Sequence, residues 1–316
     1  MQREVTEGLA GDLKVAPLGV GAWAWGTSRL WGYGQEYGRR EVGDAFRASM
    51  AEGVTLFDTA EIYGNGASER IIGEVLREGG FDGTPVIATK FAPLPYRLSP
   101  RSLISAVDRS LERLGISTID LYQIHFPSPL PRAMGLMDAL AEVVREGKVR
   151  QVGVSNYGPE QMRRAHDRLA SHGVRLASNQ VRYSLLDRAS ETNGVLDTCR
   201  DLDITLIAYS PIAQGLLTGK YGPGTKPSGI MRRFGRAFGE RNLRKVEPVV
   251  SILREIGEAH AKEPTQVALN WLMGQGTLPI PGAKNERQAR QNAGALGWSL
   301  SEDEKEKLDL ATLGWR

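Results

Sequence analysis

The chain has 316 residues, 41% of them hydrophobic, and its 40 basic residues against 37 acidic ones leave a formal charge of +3. That length and apolar content can fill one large barrel or two smaller domains, and so small a charge surplus argues against nucleic acid or an anionic membrane as the main partner. The single cysteine, Cys199, excludes an internal disulfide and is expected to pack in the core of a protein kept in a reducing compartment.

No apolar run is long enough to span a bilayer, and MQREVTEGLAG lacks a basic patch leading into an apolar core. The expected setting is the cytoplasm, or the plastid stroma should a transit peptide precede this sequence. Residues 1 to 14 suggest a short hairpin, centred on Gly8 to Asp12, that caps the N-terminal end of a barrel. An early strand near VAPLGVG leads into a loop carrying Trp23, Trp25, Trp31 and Tyr33. These aromatics read equally as walls of a substrate pocket or as packing beneath the loop.

From Thr55 onward short apolar runs alternate with helical patterns: VTLFD with IIGEVLRE, VIATK with LISAVDRSLERL, IDLYQIH with LMDALAEVVREG, and VRQVGVS with EQMRRAHDRLA. Leu103, Ile104, Val107, Leu111 and Leu114 fall on one helical face, as do Val246, Val249, Val250, Leu253 and Ile256. The series continues through LASNQ, TLIAYS and TLPIP to about eight strands, the number at which a parallel barrel closes. The expected architecture is a single α/β domain over 1–316, a (β/α)8 TIM barrel with an N-terminal hairpin cap and a long insertion after strand 7. That insertion, Gly219 to Arg241, is rich in Gly, Pro and Arg and reads equally as a lid over a ligand or as surface disorder.

Three polar residues stand where apolar strands run out: Asp58 ends VTLFD, Lys90 ends VIATK and His125 ends IDLYQIH. In a closed barrel these ends share the rim on which chemistry is done. Tyr63 lies a few residues past Asp58. A phenol with a pKa of about 10 is a poor acid or base at neutral pH, so Lys90 beside it is expected to lower that value, with Asp58 keeping the lysine charged. His125 can donate a hydrogen bond to a substrate oxygen. The set suits a carbonyl becoming an alcohol, where negative charge grows on oxygen as hydride reaches carbon.

No side chain donates hydride, so a nicotinamide must lie on the same rim. Ser155, Asn156 and Gln180 follow strand ends and can bond a carboxamide, and Tyr183 offers a ring for stacking. PIAQGLLTGK supplies exposed backbone amides and Lys220 for a pyrophosphate. In GAKNERQARQN, Gly282 permits close approach, Lys284 can meet a phosphate, and Gln288, Gln291 and Asn292 share a face suited to an adenosine; the segment reads otherwise as a solvated helix start. Gly-Val-Gly at 19 to 21 and Gly-Asn-Gly at 64 to 66 lack the third glycine of a Rossmann loop. Four scattered histidines and one cysteine give no metal-ligand pair, so no metal is expected. His166, His172 and His260 read as solvated.

GVGAWAWG, FDTAEIYG, ATKF, LYQIH, GVSNY, ASNQVRYSLL, AYSPIAQGLLTGKY and IPGAKNERQARQNAGAL together resemble the aldo-keto reductases, in that family's order and over essentially the whole chain. The resemblance implies a (β/α)8 barrel binding NADPH, with a catalytic tetrad at Asp58, Tyr63, Lys90 and His125. It implies cofactor contacts at Trp23, Ser155, Asn156, Gln180, Ser210, Pro211, Gly215, Leu216, Lys220, Gly282, Lys284, Gln288, Gln291 and Asn292. Family members often carry arginine where Gln288 stands, which leaves Lys284, aided by Arg290, Arg232 or Arg233, to recognise the 2′-phosphate. SNQVRYSLLDR and PGAKN are similar to the potassium-channel β-subunit and plant plastid branch, nearest to plastid and cyanobacterial reductases of the pyridoxal reductase kind. The expected activity is NADPH-dependent reduction of an aldehyde or ketone by a monomer or weak homo-oligomer, with pyridoxal one candidate substrate. The alternative is a redox-sensing binding subunit of low turnover that holds NADPH to control a partner.

Overall fold

The computed structural model describes residues 13–128, 130–222, 224–225 and 236–316. Eight strands form one parallel sheet in sequence order: β1 (Gly19–Gly21), β2 (Leu56–Asp58), β3 (Val86–Phe91), β4 (Ile119–Ile124), β5 (Val149–Ser155), β6 (Leu176–Arg182), β7 (Thr205–Tyr209) and β8 (Leu278–Pro279). The sheet closes on itself where Gly21 bridges Gly282 and its N–H donates to the Pro281 carbonyl at 3.0 Å. The helices between strands are α1 (Arg39–Ala51), α2 (Ala67–Glu78), α3 (Pro100–Leu114), α4 (Gly135–Arg145), α5 (Pro159–Ala170) and α6 (Val195–Asp201). Both α7 (Glu240–His260) and α8 (Pro264–Gly274) separate β7 from β8, and α9 (Glu286–Ala293) and α10 (Glu302–Ala311) follow.

This is the (β/α)8 barrel that the alternating pattern predicts, and its two apolar layers follow from strand and helix periodicity. Alternate strand residues face the barrel axis. Leu56, Val86, Ala88, Leu121, Ile207, Leu278 and Ile280 form an inner cluster that Leu13 and Val15 extend. The intervening residues face the helices. There the predicted stripes supply Leu103, Val107 and Leu114 from α3, and Val246, Val249, Val250, Leu253 and Ile256 from α7, all buried. Helix starts follow ordinary capping: Ser99 Oγ accepts the Ser102 N–H before α3, and Asn285 Oδ1 accepts the Gln288 N–H before α9.

The inward parity that builds the core also aims the polar residues. Two residues past Leu56 comes Asp58, two past Ala88 comes Lys90, and two past Leu121 comes Gln123, so a polar layer caps the apolar inner one. Cys199 is buried, as expected, with its thiol 3.7 Å from the Met162 sulfur. The predicted hairpin at residues 1 to 14 lies outside the described residues apart from Leu13 and Lys14. The insertion is described only at 219–222, 224–225 and 236–241; the rest of it, on which both the lid and the disorder readings fall, lies outside the described residues.

Candidate active site

Asp58 and Lys90 meet at the C-terminal end of the barrel, both essentially out of water. Lys90 Nζ donates to Asp58 Oδ1 at 2.5 Å and to the Thr59 carbonyl at 2.8 Å. The other carboxylate oxygen accepts from Gln180 Nε2 at 2.9 Å and Gln123 Nε2 at 3.2 Å. A buried charge is tolerated only when its lone pairs are met in this way. Lys90 Nζ lies 5.1 Å from the centroid of the Tyr63 ring, and the Tyr63 and His125 rings stand edge to face at 5.6 Å and 81°. The structure thus brings all four predicted catalytic side chains together.

Their electrostatics correct one expectation. Burial first, and then the charge of Asp58, hold the Tyr63 phenol well above its ordinary value of 10.0. The lysine does not acidify the phenol in the free site, because Asp58 neutralises the ammonium beside it and the apolar surroundings penalise a phenolate. Burial also lowers Lys90 from the usual lysine range, opposed by Asp58 and, more remotely, Glu69. His125 falls to about 3 through burial and the nearby Lys90, so it is neutral at physiological pH. The site at rest therefore offers a protonated phenol and a neutral imidazole, both donors.

Tyr63 and His125 open into a cleft of about 610 Å3. That is a size suited to an extended ligand. At its centre Ser155, Asn156 and Gln180 lie together: Ser155 Oγ donates to the Gln180 carbonyl at 2.7 Å, and Asn156 Nδ2 to the His125 carbonyl at 3.2 Å. Gln180 reaches the cleft with its amide nitrogen already given to Asp58. Ser210, Pro211, Gly215 and Lys220 line the cleft. Along that stretch Ser210, Ala213, Gln214 and Gly215 all have positive φ (52°, 48°, 57° and 104°), a strained turn in which the Ala213 and Gly215 N–H groups donate to the Ser210 and Ile212 carbonyls, each at 2.9 Å. Gly282, Lys284, Gln288, Gln291 and Asn292, from the segment after β8, line the cleft as well.

Two sequence expectations, Tyr183 as a stacking face and Arg290 as a phosphate partner, do not hold in the cleft. The Leu216 side chain is 3% exposed and packs into the hydrophobic core, so a contact with a cofactor there falls to its backbone, between the lining residues Gly215 and Thr218. Tyr183 is wholly buried against Trp271, its hydroxyl donating to Glu191 at 2.9 Å, and offers no stacking face. Tyr209, which sequence reasoning passed over, lines the cleft and donates to Asn156 Oδ1 at 3.1 Å. Arg290 points away, committed to Glu286 at 2.9 Å and Glu52 at 2.7 Å, while Arg232 and Arg233 lie outside the described residues. The aromatic loop divides between its two readings. Trp23 and Trp31 line the cleft 5.2 Å apart, with Trp23 6.2 Å from Tyr63, while Trp25 is buried and donates to the Ala283 carbonyl and Tyr33 packs edge-on against Tyr37. His166 and His260 on outer helices, and His172 in the turn after α5, lie beside Asp167, Glu304 and Asp138 respectively, and none of the three lines the cleft.

An acid–base group of this kind at the C-terminal rim of a (β/α)8 barrel, beside a long cleft, defines a barrel oxidoreductase. The model of the aldo/keto reductase family matches residues 17–312. The chain is 41% identical over 313 residues to a protein named chloroplastic pyridoxal reductase from Arabidopsis thaliana, covering 95% of this chain and 84% of that one. Its fold matches the glycerol dehydrogenase of Gluconobacter oxydans with a TM-score of 0.83 at 27% identity, over 98% of this chain and 94% of the other. It also matches an aldo/keto reductase from Klebsiella pneumoniae solved with NADP and acetate, with a TM-score of 0.73 at 28% identity over 95% and 92% of the two chains. The chain belongs to the aldo/keto reductase family and is an oxidoreductase.

Proposed function

We propose that this protein reduces an aldehyde or ketone to the alcohol with NADPH, acting as one catalytic domain over residues 1–316. The observation that carries the reading is the protonated Tyr63 phenol beside the Lys90–Asp58 pair, facing neutral His125 across the floor of the cleft. The residues present fit the cofactor. Ser210, the strained turn at 213–215 and Lys220 line a place suited to a diphosphate, Lys284 and Gln288 suit a 2′-phosphate, Gln291 and Asn292 an adenosine, and Ser155, Asn156 and Gln180 a carboxamide. Bound NADPH supplies the hydride.

The chain's own groups do the rest. His125 and Tyr63 both donate to the carbonyl oxygen, polarising it and fixing its place between them. As charge grows on that oxygen, Tyr63 gives up its proton, and the phenolate left behind faces the Lys90 ammonium. Asp58 keeps Lys90 charged and, through Gln123 and Gln180, keeps it in place. Trp23, Trp31 and Ile62 form apolar walls that limit water at the reacting carbon.

The substrate we propose is an aromatic aldehyde of the pyridoxal kind, in keeping with the tryptophan walls and the likeness to a protein named pyridoxal reductase. No helix among the described residues is long and apolar enough to cross a membrane. A cytoplasmic or stromal monomer or weak homo-oligomer fits this reading. A panel of pyridoxal, small aldehydes, sugars and keto-steroids with each nicotinamide tests it. Steady turnover of an aromatic aldehyde with NADPH is expected, and binding of NADPH with only a trickle of turnover across the panel contradicts it.

A further inference from the structure

Among the described residues, the cations lining the cleft are Lys220 and Lys284, and its acids are Asp58 and Glu36. Asp58 is spent on Lys90, Gln123 and Gln180. Glu36 has no part in the chemistry above, yet it lines the cleft beside Lys284. It comes from the loop after β1, where Gly32, at a φ of 77°, ends a single helical turn and its carbonyl accepts the N–H groups of Gln35 at 3.0 Å and Glu36 at 2.9 Å. Lys284 comes from the far side of the barrel seam, just after β8. Its ammonium donates to the Trp31 carbonyl at 2.7 Å, lies 4.4 Å from the Tyr37 ring centroid and 5.6 Å from that of Trp31, and is 3.9 Å from Glu36 Oε2. One loop thus supplies a carbonyl, two aromatic faces and a carboxylate to a single lysine.

We propose that Glu36 is a specificity-determining residue for the cofactor, setting the margin of NADPH over NADH by competing with the 2′-phosphate for Lys284. The proposal rests on the reading of the site as an NADPH site. A phosphate dianion drawn to Lys284 meets the carboxylate already beside that ammonium, and it must displace or share the loop's hold on the lysine. The ribose hydroxyl that NADH carries at the same position is uncharged and meets no such repulsion. Glu36 therefore lowers the affinity for the phosphorylated nucleotide and leaves the other nearly untouched. Its side chain is half exposed, so screening by solvent keeps the effect modest.

The test measures dissociation constants of NADPH and NADH separately, by calorimetry and by quenching of tryptophan emission, for the wild-type protein, Glu36→Gln, Lys284→Gln and the double variant. Glu36→Gln should tighten NADPH by about two- to fivefold and change NADH by less than about twofold, with the gain shrinking as salt is raised. Lys284→Gln should weaken NADPH more than NADH, and adding Glu36→Gln to it should restore little, because the contested cation is gone. An unchanged NADPH-to-NADH ratio in Glu36→Gln, or weaker NADPH binding there, overturns the proposal while leaving the NADPH site intact. If the wild-type protein bound neither nucleotide, both the proposal and the functional reading would fall together.

Discussion

Lys90 is held without access to water between Asp58 and the Thr59 carbonyl, and its neighbours decide what the phenol above it can do. Replacing it by methionine keeps much of the volume but removes the charge that faces the phenolate as Tyr63 loses its proton. Lys90→Met should lower kcat by about 10²-fold or more, with NADPH affinity little changed, as read by stopped-flow turnover alongside nucleotide titration. The pH dependence follows from Tyr63 itself. Its pKa is raised, so the proton-donating form persists as pH rises, and kcat/KM for reduction should show no alkaline limb from this group below about pH 10. His125 gives the opposite limb, in stability. Its folded value of about 3 is depressed from 6.5, so the unfolded chain takes up a proton first. The contribution is complete above pH 6.5 and is lost as pH falls toward 3. Denaturant unfolding at pH 7 and pH 4.5 should show a smaller loss for His125→Asn than for the wild-type protein. Which residues gather at the rim was legible because each polar side chain ends an apolar strand. The direction of the Tyr63 shift was not, because it depends on how completely Asp58 answers Lys90 and how deeply the ring is buried.

At the level of strands, the barrel seam depends on a close approach. A Cβ on Gly21 would stand 2.9 Å from the Ile280 carbonyl oxygen, a backbone atom that cannot step aside alone. Gly21→Ala should cost about 1–3 kcal/mol and part β1 from β8, where Gly21 also bridges Gly282 at the cleft. Thermal unfolding and a loss of NADPH affinity together would check it. Strand parity also explains what sequence reading missed on β6 and β7. Gln180 faces inward, so a residue three positions on faces outward, and Tyr183 is buried beneath the helices against Trp271. Tyr209 is two residues past inward-facing Ile207, and the same count places it in the cleft. The helices were more legible than the loops: the apolar stripes of α3 and α7 declare their buried face, whereas nothing in WGYGQEYG announces that Glu36 and Trp31 would meet Lys284.

Across the whole molecule, one buried arginine ties the chain's last residues to the barrel. Arg188, 1% exposed, donates to Glu191 at 2.6 and 2.8 Å, to Thr312 Oγ1 at 2.7 Å and to the Asp309 carbonyl at 3.1 Å, and it lies 5.0 Å from the Trp271 ring centroid. Trp271 Nε1 in turn donates to Asp309 at 3.0 Å. Removing the cation takes one partner each from Glu191, which keeps Tyr183 and Arg316, and from Asp309, which keeps Trp271, so Arg188→Ala should destabilise the fold by about 1–3 kcal/mol, read as a lower denaturation midpoint. The network joins the loop after β6 to α8 and α10, elements far apart in sequence. Hydrophobic periodicity reveals that each element exists, but a polar tie between distant elements has no period to reveal it. The overall barrel was legible for the opposite reason, since every strand and helix repeats the same apolar rule.

The central claim is that the Tyr63 phenol gives its proton to the substrate oxygen beside the Lys90–Asp58 pair. Single-turnover reduction of an aromatic aldehyde by Tyr63→Phe, with NADPH affinity measured on the same sample, tests it most directly. The hydroxyl's loss should cost about 10²- to 10⁴-fold in rate and leave the nucleotide bound nearly as tightly as before. A variant that binds NADPH normally and reduces the aldehyde at close to the wild-type rate would contradict the account.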